Sequence, residues 1–271
     1  MKYSAKLPNE NHNVSGEHPL KEFIILVCGT CVLALGLYWV LGKSVDVLVD
    51  NMPPVAEQLI HQQVNEYVSD EFQLQGEKNQ LPSNIKALMN GLEQCAGLDY
   101  PVSLHWQQDK QVNAFALPGG HIMLLSGLVE QLNSENGLAF VIAHELAHFD
   151  NRDHLRAMGR GVVMVALSTL IGLDNAKVFD FLSPVSQLET AQFSQQRESR
   201  ADELALSIVN CHYGHVGGVT EFFTLMQNKE NHSTSKVGSY WSSHPPSQIR
   251  ISSIEKLVVQ QAYEIKEVKA L

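Results

Sequence analysis

The stretch His144-Glu145-Leu146-Ala147-His148 decides how the rest of this sequence is interpreted, because it places two histidines four residues apart. It lies in an apolar, helix-forming run from Leu138 to Phe149. Residues i and i+4 share one face of a helix, so both imidazoles can bind one ion, and zinc accepts such nitrogens. The glutamate beside the first histidine is the candidate general base. The alternative is an amphipathic helix that carries two surface histidines.

A second segment, Gln196–Ala205, offers the ligand that the motif lacks. A catalytic zinc site typically has three protein ligands and keeps its fourth position for water. Glu198 and Asp202 are four residues apart in this helix-forming segment. We predict that Glu198 completes the site with His144 and His148 and that the chain binds one zinc ion. Asp202 then accepts the free N–H of a ligating histidine. The alternative is a solvated face paired with the neighbouring arginines.

Four sequence blocks occur in a specific order between Leu81 and Leu257. They are Asn113–Ile122 (NAFALPGGHI), His144–His148 (HELAH), Glu198–Asp202 (ESRAD), and Ser243–Pro246 (SHPP) followed by Arg250-Ile251. In this order the blocks resemble the M48 family of zinc metallopeptidases, which includes the CAAX prenyl proteases, the HtpX-like proteases and small periplasmic bacterial members. The first fifty residues lie outside the resemblance.

The resemblance implies a fold and a substrate site. We expect an α+β, mainly helical, gluzincin-like zincin domain with a small β-sheet beside the motif helix. In such proteases an extended peptide adds a strand to the sheet, so Asn113, Ala114, Phe115 and Ala116 are the candidate substrate strand. The alternative is an ordinary hairpin strand of the core, and for Phe115 we expect core packing.

The resemblance also places His244 near the metal, with two roles open. The prolines after it make its turn rigid, so its ring is a candidate donor to the oxyanion of the tetrahedral intermediate. His244 instead occupies the fourth zinc position if the enzyme is latent, as some relatives are thought to be. The third alternative is a structural turn histidine. Arg250 is expected to form a structural ion pair.

Together these residues predict a zinc metalloendopeptidase that acts on proteins or peptides. Turnover of misfolded or unassembled envelope proteins is implied by the resemblance alone. The alternative is a catalytically latent, zinc-containing binding or chaperone-like module, which the intact Glu145 disfavours. A prenyl-protein protease is disfavoured because that activity normally lies within many membrane helices.

A membrane anchor is predicted near the N-terminus, where Phe23 to Leu41 has no charged side chain. About 20 apolar residues span a bilayer, and no A-x-A-like cleavage site follows this run, so we expect an uncleaved single-pass anchor. A cleaved signal peptide is the alternative. Lysines are more frequent before the span than after it, which predicts a cytoplasmic N-terminus. For a bacterial cell, this places the catalytic domain in the periplasm, anchored in the inner membrane.

Composition limits the partners of the chain. The formal net charge is −10 and the sequence pI is about 5.6. The basic residues are scattered and form no stripe with aromatic residues, so no nucleic acid is expected to bind. Among the four cysteines, Cys28 and Cys31 lie in the predicted span. Cys95 and Cys211 either form a disulfide in an oxidising compartment or are two unrelated buried residues. The oligomeric state stays open.

The chain divides by composition into five segments. These are a disordered cytoplasmic tail (1–22), a transmembrane anchor (23–41), a helical linker (42–80), the peptidase domain (81–260) and a charged, exposed tail (261–271). Periodicity predicts helices at Val55–Phe72, Asn84–Ala96, Ser126–Gln131, Gly161–Leu173, Val219–Gln227 and Ile249–Val259, with Ser134 capping the motif helix. Strands are predicted at Pro101–Trp106, Gln111–Leu117 and His121–Leu125, and a polar loop at Asn228–Ser239.

Overall fold

The computed structural model describes residues 19–53, 55–62, 80–117, 119–170, 195–232, 244 and 248–271. Several predictions therefore lie wholly or partly outside the described residues: the tail before residue 19, the second half of the helix predicted at Val55–Phe72, the last three residues of the helix predicted at Gly161–Leu173, the loop at 233–239, and the serines and prolines that flank His244.

The described residues form nine helices and three strands. The helices are α1 (Pro19–Asp50), α2 (residues 55–62), α3 (Ser83–Ala96), α4 (Ser126–Val129), α5 (Glu135–Asp150), α6 (Asp153–Leu170), α7 (Gln195–Tyr213), α8 (Glu221–His232) and α9 (Gln248–Gln260). The strands are β1 (Ser103–Gln107), β2 (Ala114–Leu117) and β3 (His121–Leu125). The fold is mainly helical with a small mixed sheet, as predicted, although the finer gluzincin-like classification stays a prediction.

The three strands form one sheet in the order β1-β3-β2. β3 lies in the centre, parallel to β1 and antiparallel to β2, with Phe115 opposite Met123. β1 begins two residues later than predicted, after Pro101, which has no N–H for a sheet hydrogen bond. β2 is an edge strand of the described sheet and packs against α5, so the sheet edge and the motif helix are neighbours.

The motif helix α5 is the centre of the core. Every residue from Glu135 to Phe149 is buried, and α3, α7 and β2 pack around the helix. A helix that is apolar on nearly all sides is stable only inside a protein, which explains its central position. Ser134 accepts a hydrogen bond from the Gly137 N–H and caps the helix, as predicted. The alternative of an amphipathic helix with surface histidines is wrong.

The charged C-terminal tail is held against the start of α5. The backbone carbonyl of Lys269 accepts a hydrogen bond from the Glu135 N–H, and Ala270 forms an antiparallel bridge with Ser134. The Lys269 ammonium also pairs with the Glu135 carboxylate at 2.6 Å. The tail is thus exposed, as predicted, but it adopts one extended path along the domain.

Helix α1 is longer than the predicted span and has two different halves. Its apolar window has a mean hydropathy of 2.4 and is not buried within the protein, so α1 is long and apolar enough to cross a membrane. Residues 42–50, predicted as linker, continue the same helix. There Val45 and Val49 are buried against Leu155 of α6, because apolar residues four apart share one face.

The boundaries of two other predicted elements also differ from those in the structure. Residues 161–170 of the helix predicted at Gly161–Leu173 are the second half of α6, and α6 packs on α1. The residues 228–232, predicted as loop, continue α8 instead. Their Lys and Glu residues are polar but favour helix, so polarity alone is a poor signal for a helix end.

A disulfide joins Cys95 of α3 to Cys211 of α7, with a Cα–Cα distance of 5.8 Å. This resolves the alternative that the sequence left open. The bond connects two helices that both pack against α5, and it closes a loop of 116 residues. In the chain-entropy treatment, such a loop contributes about 4–5 kcal/mol of stability. Cys28 and Cys31 are free and lie on α1.

Candidate active site

The two motif histidines meet at one point on α5. His144 Nε2 and His148 Nε2 are 3.1 Å apart, and each residue is only 1% exposed. The i, i+4 spacing gives this geometry directly, because one helical turn places the second ring over the first. Two imidazole nitrogens on one tetrahedral zinc ion are ~3.3 Å apart if each bond is 2.0–2.1 Å. The observed spacing fits one shared ion.

Helix α7 brings Glu198 to the same point. Its Oε2 lies 3.4 Å from His144 Nε2, and its Oε1 lies 3.5 Å from His148 Nε2. α7 packs closely along α5, and its buried face includes the small residues Ala201 and Ala205, which let two helices approach. The predicted ligands from two distant segments are therefore brought together.

His244 also reaches this point. Its Nδ1 is 3.3 Å from His144 Nε2 and 3.1 Å from Glu198 Oε1, and the residue is 1% exposed. Its other ring nitrogen, Nε2, lies 3.6 Å from Glu145 Oε1. We name the set His144, His148, Glu198 and His244 the α5–α7 cluster; one ligand atom from each lies within 4.8 Å of all the others.

Carboxylates behind the rings fix the two motif histidines. His144 Nδ1 lies 3.0 Å from Asp202 Oδ1, the contact that the sequence predicts. His148 Nδ1 lies 2.9 Å from Asp153 Oδ2. Sequence analysis missed Asp153, although an acidic residue just beyond the motif helix was an available signal. Both contacts leave Nε2 as the nitrogen that faces the centre of the cluster.

Arg250 of α9 supports the carboxylates. Its Nε and Nη2 donate to the two oxygens of Asp202 at 2.9 and 2.7 Å, and its Nη1 lies 2.7 Å from Glu198 Oε2. Arg250 is 4% exposed, so these are buried charge-assisted contacts. The expectation of a structural ion pair agrees with this geometry.

The contacts between carboxylates and imidazoles determine the pKa values in the cluster. Burial alone would raise the pKa of Glu198, but His244, His144 and His148 around it hold that pKa well below its usual range. Burial alone would lower the pKa of His148, whereas the carboxylates of Asp153 and Glu198 raise it to about 10. Burial would also lower the pKa of His144, but Asp202 and Glu198 raise it above its usual value. Basic imidazoles of this kind are strong metal ligands once deprotonated.

His244 differs from the two motif histidines. Burial lowers its pKa, and Glu198 and Glu145 offset this only in part. Its neutral ring therefore offers a lone pair rather than a positive charge.

Glu145 lies at the wall of the cluster, with its Oε1 3.6 Å from His244 Nε2. The residue is fully buried, and neither of its carboxylate oxygens has a hydrogen-bond partner among the described residues. A buried, unsatisfied carboxylate is costly and is retained mainly where it has a chemical task. A water or an ion in the cluster would satisfy it.

The donor set fits a zinc ion. Imidazole nitrogens and a carboxylate oxygen are typical zinc ligands, and the distances of 3.1, 3.4 and 3.5 Å that join His144, His148 and Glu198 are close to those between ligands of one tetrahedral ion. With three ligands the fourth position stays open to water, and with His244 the site is closed.

The predicted substrate strand lies at the edge of the sheet. Asn113, Ala114 and Phe115 are buried, at 2%, 0% and 4% exposure, and Ala116 is partly buried. Phe115 thus packs inside, as expected. Within the described sheet, β2 pairs on one side only, with β3. A peptide at this edge would bind mainly through its main chain, because these side chains point into the protein or along it.

Known proteins are similar in sequence to the part of the chain that forms this site. A profile of Peptidase family M48 matches residues 76–258. The mitochondrial metalloendopeptidase OMA1 of Schizosaccharomyces pombe is 30% identical over 161 residues, 58% of this chain and 47% of that protein. The metalloprotease LoiP of Escherichia coli is 29% identical over 161 residues, 57% of this chain and 62% of LoiP.

A third relative is the beta-barrel assembly-enhancing protease of Yersinia pestis, which is 28% identical over 121 residues, 40% of this chain and 25% of that protein. The matches thus span roughly half or less of OMA1 and of the assembly-enhancing protease and somewhat more of LoiP. The family match includes α3, all three strands, both motif segments and most of α9. Because it covers well over half of the sequence, the chain belongs to Peptidase family M48, a family of metallopeptidases.

Proposed function

We propose that this chain is a membrane-anchored, zinc-dependent endopeptidase. One observation carries the proposal: His144, His148 and Glu198 converge on one point, beside a fully buried Glu145 that has no hydrogen-bond partner among the described residues. A metal-binding scaffold needs the first three residues only. A buried carboxylate without a hydrogen bond is explained by proton transfer during hydrolysis.

The residues of the chain have distinct tasks in this reaction. A zinc ion held by the three ligands would lower the pKa of a water and polarise a peptide carbonyl. Glu145 accepts the proton of the attacking water and passes it to the leaving amine. Asp202 and Asp153 hold the imidazoles in one tautomer through contacts of 3.0 and 2.9 Å. The edge strand β2 orients the extended substrate by main-chain hydrogen bonds.

The position of His244 favours a fourth-ligand role over an oxyanion donor. Its Nδ1 lies within 3.3 Å of both His144 Nε2 and Glu198 Oε1 and therefore faces the centre of the α5–α7 cluster, where it would ligate a bound ion. Closed zinc sites are structural, whereas catalytic sites keep one position for water. We therefore propose that His244 holds the enzyme latent and leaves the site when substrate binds.

Several features support a catalytic domain on the periplasmic side of a bacterial inner membrane. Helix α1 is long and apolar enough to anchor the chain, and the lysines before it favour a cytoplasmic N-terminus. The Cys95–Cys211 disulfide requires an oxidising compartment, as the periplasm is. The name of one relative, the beta-barrel assembly-enhancing protease, concerns the assembly of β-barrels, and this supports misfolded or unassembled envelope proteins as the proposed substrates.

The second candidate function is a zinc-containing binding or chaperone-like module without turnover. The proximity of His244 to the other ligands favours it, because a closed site has no place for water. The two functions differ in what Glu145 contributes. A module does not need this carboxylate, whereas the peptidase does.

Cleavage of casein by the full-length protein in detergent tests the proposal. The peptidase proposal expects cleavage by wild type and by a Glu203→Gln control, which changes an exposed carboxylate on α7. Glu145→Gln should keep its zinc and lose cleavage. If wild type and His244→Ala both hold zinc and neither cleaves, the module is correct.

The same assay separates the two roles of His244. A latch predicts that His244→Ala cleaves casein faster than wild type, because the fourth position is opened. An oxyanion donor predicts a decrease of about 10²–10³-fold. An increase supports latency, and a decrease of that size contradicts it.

A further inference from the structure

A second buried group of metal-binding side chains lies away from the α5–α7 cluster. It consists of Glu57 and His61 on α2 and His154 in the first turn of α6, and we name it the α2–α6 cluster. The three residues are 3%, 8% and 1% exposed. One ligand atom from each lies within 4.8 Å of the other two.

The two rings are spaced as ligands of one ion. His61 Nε2 and His154 Nε2 are 3.3 Å apart, which equals the ~3.3 Å expected for two imidazoles on a tetrahedral zinc ion. Aromatic contacts fix both rings: His61 packs edge-on against Tyr100 at 4.5 Å, and His154 packs on Phe149 at 4.8 Å. Packing on these two aromatic rings therefore helps to hold both imidazoles in place, in addition to the 3.3 Å contact between their nitrogens.

The carboxylate of Glu57 is half satisfied. Its Oε2 pairs with Arg152 Nη2 at 2.9 Å, whereas its buried Oε1 has no hydrogen-bond partner among the described residues. His154 Nδ1 is also buried and lacks such a partner. A carboxylate that uses one oxygen for an arginine and offers the other is typical of a metal ligand with an outer partner. A cation between the three groups would satisfy the orphaned oxygen.

The protonation state of the rings suits a cation. Burial lowers the pKa of His61, and burial together with His61 lowers that of His154 to about 3. Both imidazoles are therefore neutral, and neutral imidazole is the form that binds metal. A cavity lined by Gln58, His61, Tyr100 and His121 adjoins the cluster, so water can complete the coordination.

We propose that Glu57, His61 and His154 bind a second divalent metal ion, with zinc the best match to two imidazoles and a carboxylate. Helix α2 follows α1 after the break at Pro53, and a helix this short is marginal by itself. The ion joins α2 to the first turn of α6. His154 adjoins Asp153, which holds His148, so the ion also stabilises the junction behind the catalytic histidine.

Zinc content of the full-length protein in detergent tests this proposal. The Glu145→Gln form is used to prevent self-cleavage, is loaded with zinc, and is dialysed against zinc-free buffer. We expect two zinc ions per chain by mass spectrometry. In that background, His61→Phe and His154→Phe keep an aromatic ring in place and should each leave one ion. His105→Phe, which changes a neighbouring partly buried histidine, should leave two.

Removal of a catalytic ligand separates this proposal from the proposed function. In the same background, His148→Phe should lose the other ion and retain the one that His61→Phe removes. If Glu145→Gln holds one ion that His148→Phe removes and His61→Phe does not, the second site is overturned. If the single ion instead depends on His61 and not on His148, the second site stands and the proposed catalytic ion is wrong.

Discussion

The α5–α7 and α2–α6 clusters contain the same chemical groups and differ in what lies behind the rings. In the first, Asp202 and Asp153 contact the outer nitrogens of the motif histidines at 3.0 and 2.9 Å. In the second, the rings rest on Tyr100 and Phe149. Carboxylates raise the pKa of His144 and His148 in the first cluster. Burial lowers the pKa of His61 and His154 in the second.

This difference separates a reactive site from a structural one. Carboxylates make the imidazoles of the first cluster more basic and hold their orientation, as a reacting metal centre requires. Among the described residues, Glu145 is a buried carboxylate with neither oxygen hydrogen-bonded, and it lies beside the first cluster; in the second cluster, Glu57 is itself the candidate ligand and already pairs with Arg152. We therefore expect changes in the first cluster to affect cleavage and those in the second to affect metal content alone.

The largest expected effect comes from the general base. Glu145→Gln should lower the rate of casein cleavage by about 10²–10⁴-fold, because proton transfer by a positioned group contributes this much. Glu57→Gln should change the rate less than threefold. The rates are measured with full-length protein in detergent at saturating zinc. If the two variants lose cleavage activity to a similar extent, the assignment of catalysis to the first cluster alone is wrong.

The next effect concerns the helix that carries Glu198. Replacing both Cys95 and Cys211 by serine should lower the free energy of unfolding by about 2–5 kcal/mol, because the disulfide connects α7 to α3 around a long loop. Denaturant unfolding of the protein measures this change. Reduction of the wild-type protein should give the same decrease, and an unchanged midpoint after reduction would contradict it.

A smaller effect is expected behind His148. Asp153→Asn removes the charge that orients this ring and should weaken zinc binding at the α5–α7 cluster by about 10–100-fold. Competition with a zinc chelator measures the affinity. The matched control is Asp99→Asn, which removes an exposed acidic charge and should leave the affinity unchanged. Equal affinities in both variants would show that Asp153 does not support the ligand.

The smallest effect on cleavage is expected from the α2–α6 cluster. His61→Phe should cleave casein within threefold of wild type at saturating zinc, because its ring contacts Tyr100 and not the α5–α7 cluster. Initial rates of the two proteins are compared in one preparation. A loss as large as that of Glu145→Gln would mean that the second cluster takes part in the reaction.

The sequence predicts those features that depend on local spacing. His144 and His148 lie one turn apart on one helix, and Glu198 and Asp202 repeat this spacing, so both pairs were found. The structure brings the pairs together through the packing of α7 on α5, a tertiary contact that the need for a third ligand and the family resemblance both indicated but that no spacing in the sequence fixes.

Features that depend on distant chain segments were missed or left open. Glu57 and His61 lie one helical turn apart, but His154 is 93 residues from His61 in sequence, and nothing in the spacing joins it to that pair. The Cys95–Cys211 pairing depends on a distance of 5.8 Å that no spacing in the sequence reveals. The end of α1 was missed for a different reason: residues 42–50 are too polar for a membrane yet continue the helix by packing on α6.

Anomalous scattering at the zinc edge, from crystals of the Glu145→Gln protein, tests the central claim most directly. We predict a strong peak about 2.0–2.2 Å from His144 Nε2, His148 Nε2 and a carboxylate oxygen of Glu198. A zinc-loaded crystal with no peak at this point, or with the Glu198 carboxylate turned away from both rings, would contradict the proposed catalytic centre.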